Sequence, residues 1–327
     1  MKALVKGAGV AGLTLALELA SRGADVTVIE KRHRLAGSAS WAAGGMLAPW
    51  CERESAEEAV VTLGRLALDW WDAVLPGHVV RAGTLVVAPA RDAGELDRFA
   101  RRTAGFSAIG EEAVAALEPD LAGRFRRGLF FGEEAHLDPR RALIALKDRL
   151  VGMGVRFEFG YGAVRVPETV DIEADCTGIA ASVPGLRGVR GEMLLLHAPD
   201  VSLARPVRLL HPRFPVYVVP RADHLFMVGA TMIESDANEP VTARSMMELL
   251  GAAYALHPAF GEAEIVEAGV GVRPAFADNL PRVSRDANRV SINGLYRHGF
   301  LLAPAMARQA SELIFNSQRE LADAAHH

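Results

Sequence analysis

The sequence has two cysteines in 327 residues, Cys51 and Cys176, far apart and in no paired spacing. That excludes a disulfide framework and a cysteine-based zinc site, and it suits a reducing compartment, with the cytoplasm as the expected location. No charge-free apolar run reaches the length of about 18 residues that would suggest a membrane span. Basic blocks and interleaved aromatic stripes are missing too, and the formal net charge is −4, which argues against a nucleic-acid partner. The ten histidines are scattered. No H-E-x-x-H or G-x-x-x-x-G-K-S/T occurs, and GFSAIG has one residue too many for a nucleophile elbow, so metal, nucleotide-triphosphate and serine-hydrolase chemistries lose their usual signatures. Repeats and low-complexity segments are also absent. What remains is the ordinary composition of an enzyme, 50% hydrophobic and 23% charged, in a chain long enough for two domains or one large one.

The first thirty residues carry the strongest pattern. Lys2 and Lys6 ahead of a small apolar run imitate a secretory signal, but glycines and Glu18 interrupt that run, and it continues directly into ADVTVIEK. The segment reads better as strand, tight turn, helix, turn and strand. Gly7, Gly9 and Gly12 have G-x-G-x-x-G spacing around Val10 and Ala11. The first glycine permits the turn, the second lets backbone approach a pyrophosphate, and the third lets helix and strand pack closely. The helix N-terminus offers free amides to phosphate, and Glu30 falls where a carboxylate can accept from ribose hydroxyls. This predicts a dinucleotide site without distinguishing its nicotinamide and flavin forms. Lys6 is unusual inside such a first strand.

Residues 40–50, SWAAGGMLAPW, are nearly uncharged and small-sided. Gly44, Gly45 and Pro49 argue against a helix, and composition alone suggests a hinge loop. A single helix is expected over ESAEEAVVTLGRLALDWWDAVL, another from Asp138-Pro139 to about Met153, and a third ending at His257-Pro258. Between them, from Met193 to Ser235, short alternating runs predict antiparallel strands of a mixed sheet.

Residue for residue, ASWAAGGMLAP closely resembles the thiamine-biosynthetic glycine oxidases of the D-amino-acid oxidase superfamily. Three later stretches resemble the same family in the expected order: VYVVPR with Met232 fifteen residues beyond Tyr217, GVGVRPAFADNLPRVS, and INGLYRHGFLLAPAMARQASELI. Together they span most of the chain. The resemblance implies an α/β protein: a discontinuous Rossmann-type FAD-binding domain (1–80, 132–182, 266–327) and a mixed, largely antiparallel substrate domain (81–131, 183–265). It implies FAD contacts at Gly7, Gly9, Val10, Ala11, Gly12, Glu30 and Lys31, and along Ser40, Ala42, Ala43, Gly44, Gly45 and Met46. Further contacts are implied at Ala163 or Val164 near the adenine, at Thr177 and Gly178 of DIEADCTG, and at the backbone of His298, Gly299, Phe300, Leu301 and Leu302, ahead of a helix beginning near Pro304. Covalent attachment is not expected, because neither cysteine lies near that last loop.

By the same resemblance Arg273 holds the substrate carboxylate in a bidentate pair, Tyr217 assists, Arg297 lies near substrate and flavin, and Met232 walls off side-chain space. A planar guanidinium suits a planar carboxylate. No side chain is assigned as general acid or base, and no metal is expected. The implied reaction is oxidation of glycine, with sarcosine or small D-amino acids as other substrates. Hydride passes to FAD, oxygen reoxidises it to give peroxide, and the imine is hydrolysed or passed to thiazole synthase in thiamine biosynthesis. A homo-oligomer is expected. Two other readings stay open: a dehydrogenase of the same fold using another electron acceptor, and a non-catalytic flavin subunit of a larger complex.

Overall fold

The structure, a computed structural model, describes residues 1–160, 169–211 and 215–324, with side chains through residue 316. The apolar strand Lys2–Lys6 lies at the centre of a six-stranded sheet. It is flanked by Asp25–Glu30 and Arg156–Phe159 on one side, and by Ile172–Asp175, Arg289–Asn293 and Arg282–Asp286 on the other. All neighbours are parallel except the last pair, a hairpin. Parallel strands need helical crossovers that cover the sheet. Val10–Ser21, Pro139–Gly152 and Gly299–Ala324 supply helices, and the first packs on both others. The anomalous Lys6 is explained by its neighbour: its ammonium pairs with Glu173 at 2.6 Å on the adjacent strand.

A second, nine-stranded sheet is mixed and largely antiparallel. Among the described strands, Val207–Leu209 runs parallel to Thr84–Val87. The helix Ala243–Leu256 covers it through Leu249, Ala252, Ala253 and Leu256, which join Leu194, Phe226 and Phe260 in a separate core. The strand Glu264–Ala275 pairs along the whole of Arg187–His197 in this sheet. The boundary expected at residue 266 therefore falls inside a strand, and the two sheets divide after Ala275 instead. A three-stranded sheet of Met46–Leu47, Ala135–Leu137 and Val79–Val80 lies apart from both larger ones.

Three local expectations are corrected. Pro49 does not prevent a helix; it occupies the first turn of Pro49–Arg53, where a missing N–H costs nothing. The long helix expected after it is two, Glu58–Gly64 and Ala67–Val74, with Leu66 at the break turned to solvent. The last helix starts at Gly299 rather than near Pro304. Pro304 cannot donate to the carbonyl of Phe300, four residues earlier. The buried indole of Trp71 donates to that oxygen instead, at 2.8 Å.

Candidate active site

A cleft is lined by residues from both larger sheets. Its nucleotide end is built from bare backbone. Gly7 has φ +99°, and a Cβ there would meet the Cys176 carbonyl oxygen at 2.5 Å. Gly12 packs beneath the Gly7 carbonyl, inside the fold rather than on the cleft wall. Ser40 Oγ accepts from the Val10 amide at 3.1 Å, which ties the small-residue segment to the start of the first helix. Glu30 is buried and both its oxygens are engaged: one accepts from Ala8 N at 2.9 Å, the other from Arg32 N at 2.9 Å. It braces the glycine turn without lining the cleft. Lys31 is exposed and also outside the cleft, whereas Arg32 lines it. On the opposite side, Thr177 N and Oγ1 donate to Asp175 Oδ1 at 2.9 and 2.6 Å, and Asn293 Nδ2 donates to Gly178 O at 2.9 Å. Ala163 and Val164 lie outside the described residues.

The small-sided run now has a physical reason. A Cβ on Gly44 would sit 2.7 Å from the Tyr217 ring, and Gly45, at φ +73°, would drive one into the Leu137 carbonyl. Arg221 secures the segment by donating to Gly44 O at 2.7 Å and Leu137 O at 3.0 Å. Ala42, Ala43 and Met46 line the cleft beside them. Gly271 continues the theme across the sheet, where a Cβ would press on Ala39 Cα at 3.1 Å.

Arg273 projects from the strand Glu264–Ala275 and lies against the neighbouring strand at Gly191, where any Cβ would collide with the guanidinium. It donates to Thr231 O at 3.1 Å. Burial pushes its pKa down, and Tyr217 lines the same cleft. Arg297 also lines the cleft, but it is ion-paired with buried Glu52 at 2.9 Å. Burial alone would raise the Glu52 pKa, yet Arg297 above all pulls it down to about 2. His298 Nδ1 is 3.3 Å from the same carboxylate, and burial holds its pKa down at about 4, so it is neutral. Behind Glu52, Arg208 approaches at 3.8 Å and Glu134 accepts from Cys51 N at 2.7 Å. Burial raises the Glu134 pKa to about 7.

Gly299, Phe300 and Leu301 form the cleft wall at the start of the last helix, while Leu302 is fully buried behind them. Met232 is not an inner wall. It is 52% exposed, and its sulfur accepts from Tyr296 OH and Arg297 Nη1, each at 3.6 Å. Sequence reasoning missed Glu52, Gly191 and Tyr296. Glu52 sits in a charged stretch that reads as solvated, and its only signal is its position directly after Trp50 and Cys51.

The donor set suits a dinucleotide such as FAD: glycine backbone at a helix start, a second glycine turn opposite, and a small-sided strip leading to the arginine pair. No cluster of residues suited to a metal ion occurs among the described residues, and none of their helices is long and apolar enough to cross a membrane.

Comparison with known proteins agrees with this reading. Residues 2–313 match the FAD dependent oxidoreductase family. The chain is 62% identical, over 97% of its own length and 98% of the relative's, to a protein of Rhizobium etli named as a thiamine biosynthesis oxidoreductase, ThiO. It is 27% identical to the glycine oxidase of Pseudomonas aeruginosa, covering 96% of this chain and 94% of that one. The crystal structure of glycine oxidase from Geobacillus kaustophilus superposes with a TM-score of 0.81 at 21% identity, over 96% of this chain and 94% of the other, a likeness of fold. With a family match across nearly its whole length and a dinucleotide cradle in place, the chain belongs to the FAD-dependent oxidoreductases.

Proposed function

We propose that the protein is an FAD-dependent oxidase of glycine or a similarly small amino acid. One observation carries the reading: Arg273, laid against Gly191, lines with Tyr217 a cleft that the small-residue strip Ala42–Met46 also lines. A guanidinium there suits a carboxylate, and the strip suits close approach of a flat cofactor. Bound FAD supplies the two-electron acceptor and its reoxidation by oxygen. The residues proposed to hold it are Gly7, Gly9, Val10 and Ala11 at the nucleotide end, Ala42–Met46 and Thr177–Gly178 in the middle, and Gly299–Leu301 at the far end. The glycine turn braced by Glu30 and the start of the last helix present amides that favour negative charge. Arg273 and Tyr217 orient the substrate, and no side chain is assigned a proton transfer. The chain's contribution is positioning and electrostatics. The unit carrying the parallel sheet is the proposed cofactor-binding part, and the mixed sheet the substrate-binding part.

The oxidase of Pseudomonas aeruginosa supports glycine as substrate, and the Rhizobium etli relative supports a role in thiamine biosynthesis. A Nostoc protein named bifunctional ThiO/ThiG is 26% identical over 97% of this chain and 53% of its own length. That fusion supports passage of the oxidised product to thiazole synthase. The decisive measurement is the visible spectrum of the purified holoprotein, mixed anaerobically with glycine and then exposed to air. Bleaching followed by recovery is expected. A flavin that stays oxidised with glycine, sarcosine and D-alanine alike would defeat the proposal, and one that bleaches but recovers slowly in air would indicate a different electron acceptor.

A further inference from the structure

Three arginines line the cleft among the described residues, and they differ in how their charge is balanced. Arg32 pairs with Glu30 at 3.2 Å, and Arg297 pairs with Glu52 at 2.9 Å. Arg273 donates to a backbone carbonyl and has no carboxylate within ion-pair distance among the described residues. The Glu52 carboxylate is itself buried, and it lines the cleft. The nearby Arg208 has a second carboxylate, Glu54, at 3.7 Å, so it does not take Glu52 away from Arg297. His298, buried against Glu52, is neutral and adds no positive charge. The substrate end of the cleft therefore offers one uncompensated cation.

We propose that Glu52 is a specificity-determining residue. By neutralising Arg297 it leaves a single free positive charge, at Arg273, and so restricts the site to amines bearing one carboxylate. The proposal rests on the amino-acid reading of the site given above. A second anionic group on the substrate would approach an arginine whose charge is already matched, and would face the Glu52 carboxylate itself. At the separations found here such unscreened charges act strongly on each other in a partly dry cleft. Glu52 is ion-paired with Arg297 at the cleft wall, so it acts by positioning that arginine and by charge count.

The test uses FAD-loaded protein titrated with acetate and with malonate, neither of which can be oxidised as an amine, followed by perturbation of the flavin spectrum. In the wild-type protein malonate should bind no more than about threefold tighter than acetate. In Glu52→Gln the malonate-to-acetate affinity ratio should rise by about tenfold or more, and Glu52→Gln with Arg297→Gln should return it to the wild-type value. A wild-type ratio already above about tenfold, or a Glu52→Gln ratio equal to wild type, overturns the proposal. The wild-type comparison stands even if Glu52→Gln does not fold. Bleaching by glycine in the same preparation reports on the oxidase reading, so the two failures are read separately: an inert flavin with the expected acid ratios condemns the substrate, not Glu52.

Discussion

The guanidinium of Arg273 rests on the bare backbone of Gly191, two strands of one sheet contributing a cation and the flat bed beneath it. No side chain other than hydrogen fits at position 191 while Arg273 keeps its place. Gly191→Ala should therefore reproduce much of the effect of Arg273→Ala without removing the charge. Losing a charge-assisted contact of this kind costs about 1.5–3 kcal/mol, which is roughly a 10- to 150-fold rise in the KM for glycine. Both variants should retain FAD. An Arg273→Ala enzyme with wild-type KM would show that Arg273 does not clamp the carboxylate, whereas a wild-type KM in Gly191→Ala alone would show that the guanidinium shifts to make room.

Glu30 gives the second expectation. Its carboxylate accepts from Ala8 N on one side and Arg32 N on the other, so it sets the shape of the glycine turn from within the protein. Glu30→Ala leaves the buried Ala8 amide unpaired, at about 1–3 kcal/mol. FAD affinity, measured by titrating apoprotein, should fall by about tenfold or more, with the KM for glycine in FAD-saturated enzyme little changed.

A pH dependence follows from Glu134. Burial raises its pKa from 4.5 to about 7, so the folded protein binds a proton there that the unfolded chain has released. Stability from this group is full below pH 4.5 and declines as pH rises toward 7. The shift corresponds to about 3 kcal/mol at most. Glu134→Gln mimics the protonated acid without titrating. It should melt near the wild-type temperature at pH 5 and above it at pH 8. Equal gaps at the two pH values would mean that Glu134 does not titrate in this window. The buried histidines His136 and His298 act in the opposite sense, because burial lowers both to about 4. Their contribution is present above 6.5 and is lost as pH falls toward 4, so only the variant comparison isolates Glu134.

The Trp71 indole bond to Phe300 O predicts a fourth result. Trp71→Phe keeps most of the packing and strands a carbonyl that Pro304 cannot satisfy. A loss of about 1–2 kcal/mol is expected, lowering Tm by roughly 2–8 °C. An unchanged Tm in the apoprotein would mean that water fills the gap without cost.

The cofactor end was legible in sequence because its chemistry is local. Gly7, Gly9 and Gly12 lie within one turn, so strand, turn and helix announce themselves in a few residues. The substrate end depends on partners far apart. Glu52 and Arg297 are 245 positions apart, and Gly191 acquires its role only when Arg273 is laid across it. Neither relation has a periodicity to detect. Met232 shows the reverse error. The resemblance implied an inner wall there, yet Met232 is exposed. The helix start at Gly299 was hidden because Pro304 looks like a beginning, and only the distant Trp71 shows how the chain accommodates it inside the first turns.

The cleft takes its floor from Gly7–Ala11 and its far wall from Gly299–Leu301, and the helices that follow these two stretches pack on one another. The two stretches are nearly three hundred positions apart, so neither makes the cofactor end alone. That end is a seam between two helices, and whatever loosens their packing opens the cradle before it disturbs Arg273 and Gly191, which are joined through a different sheet.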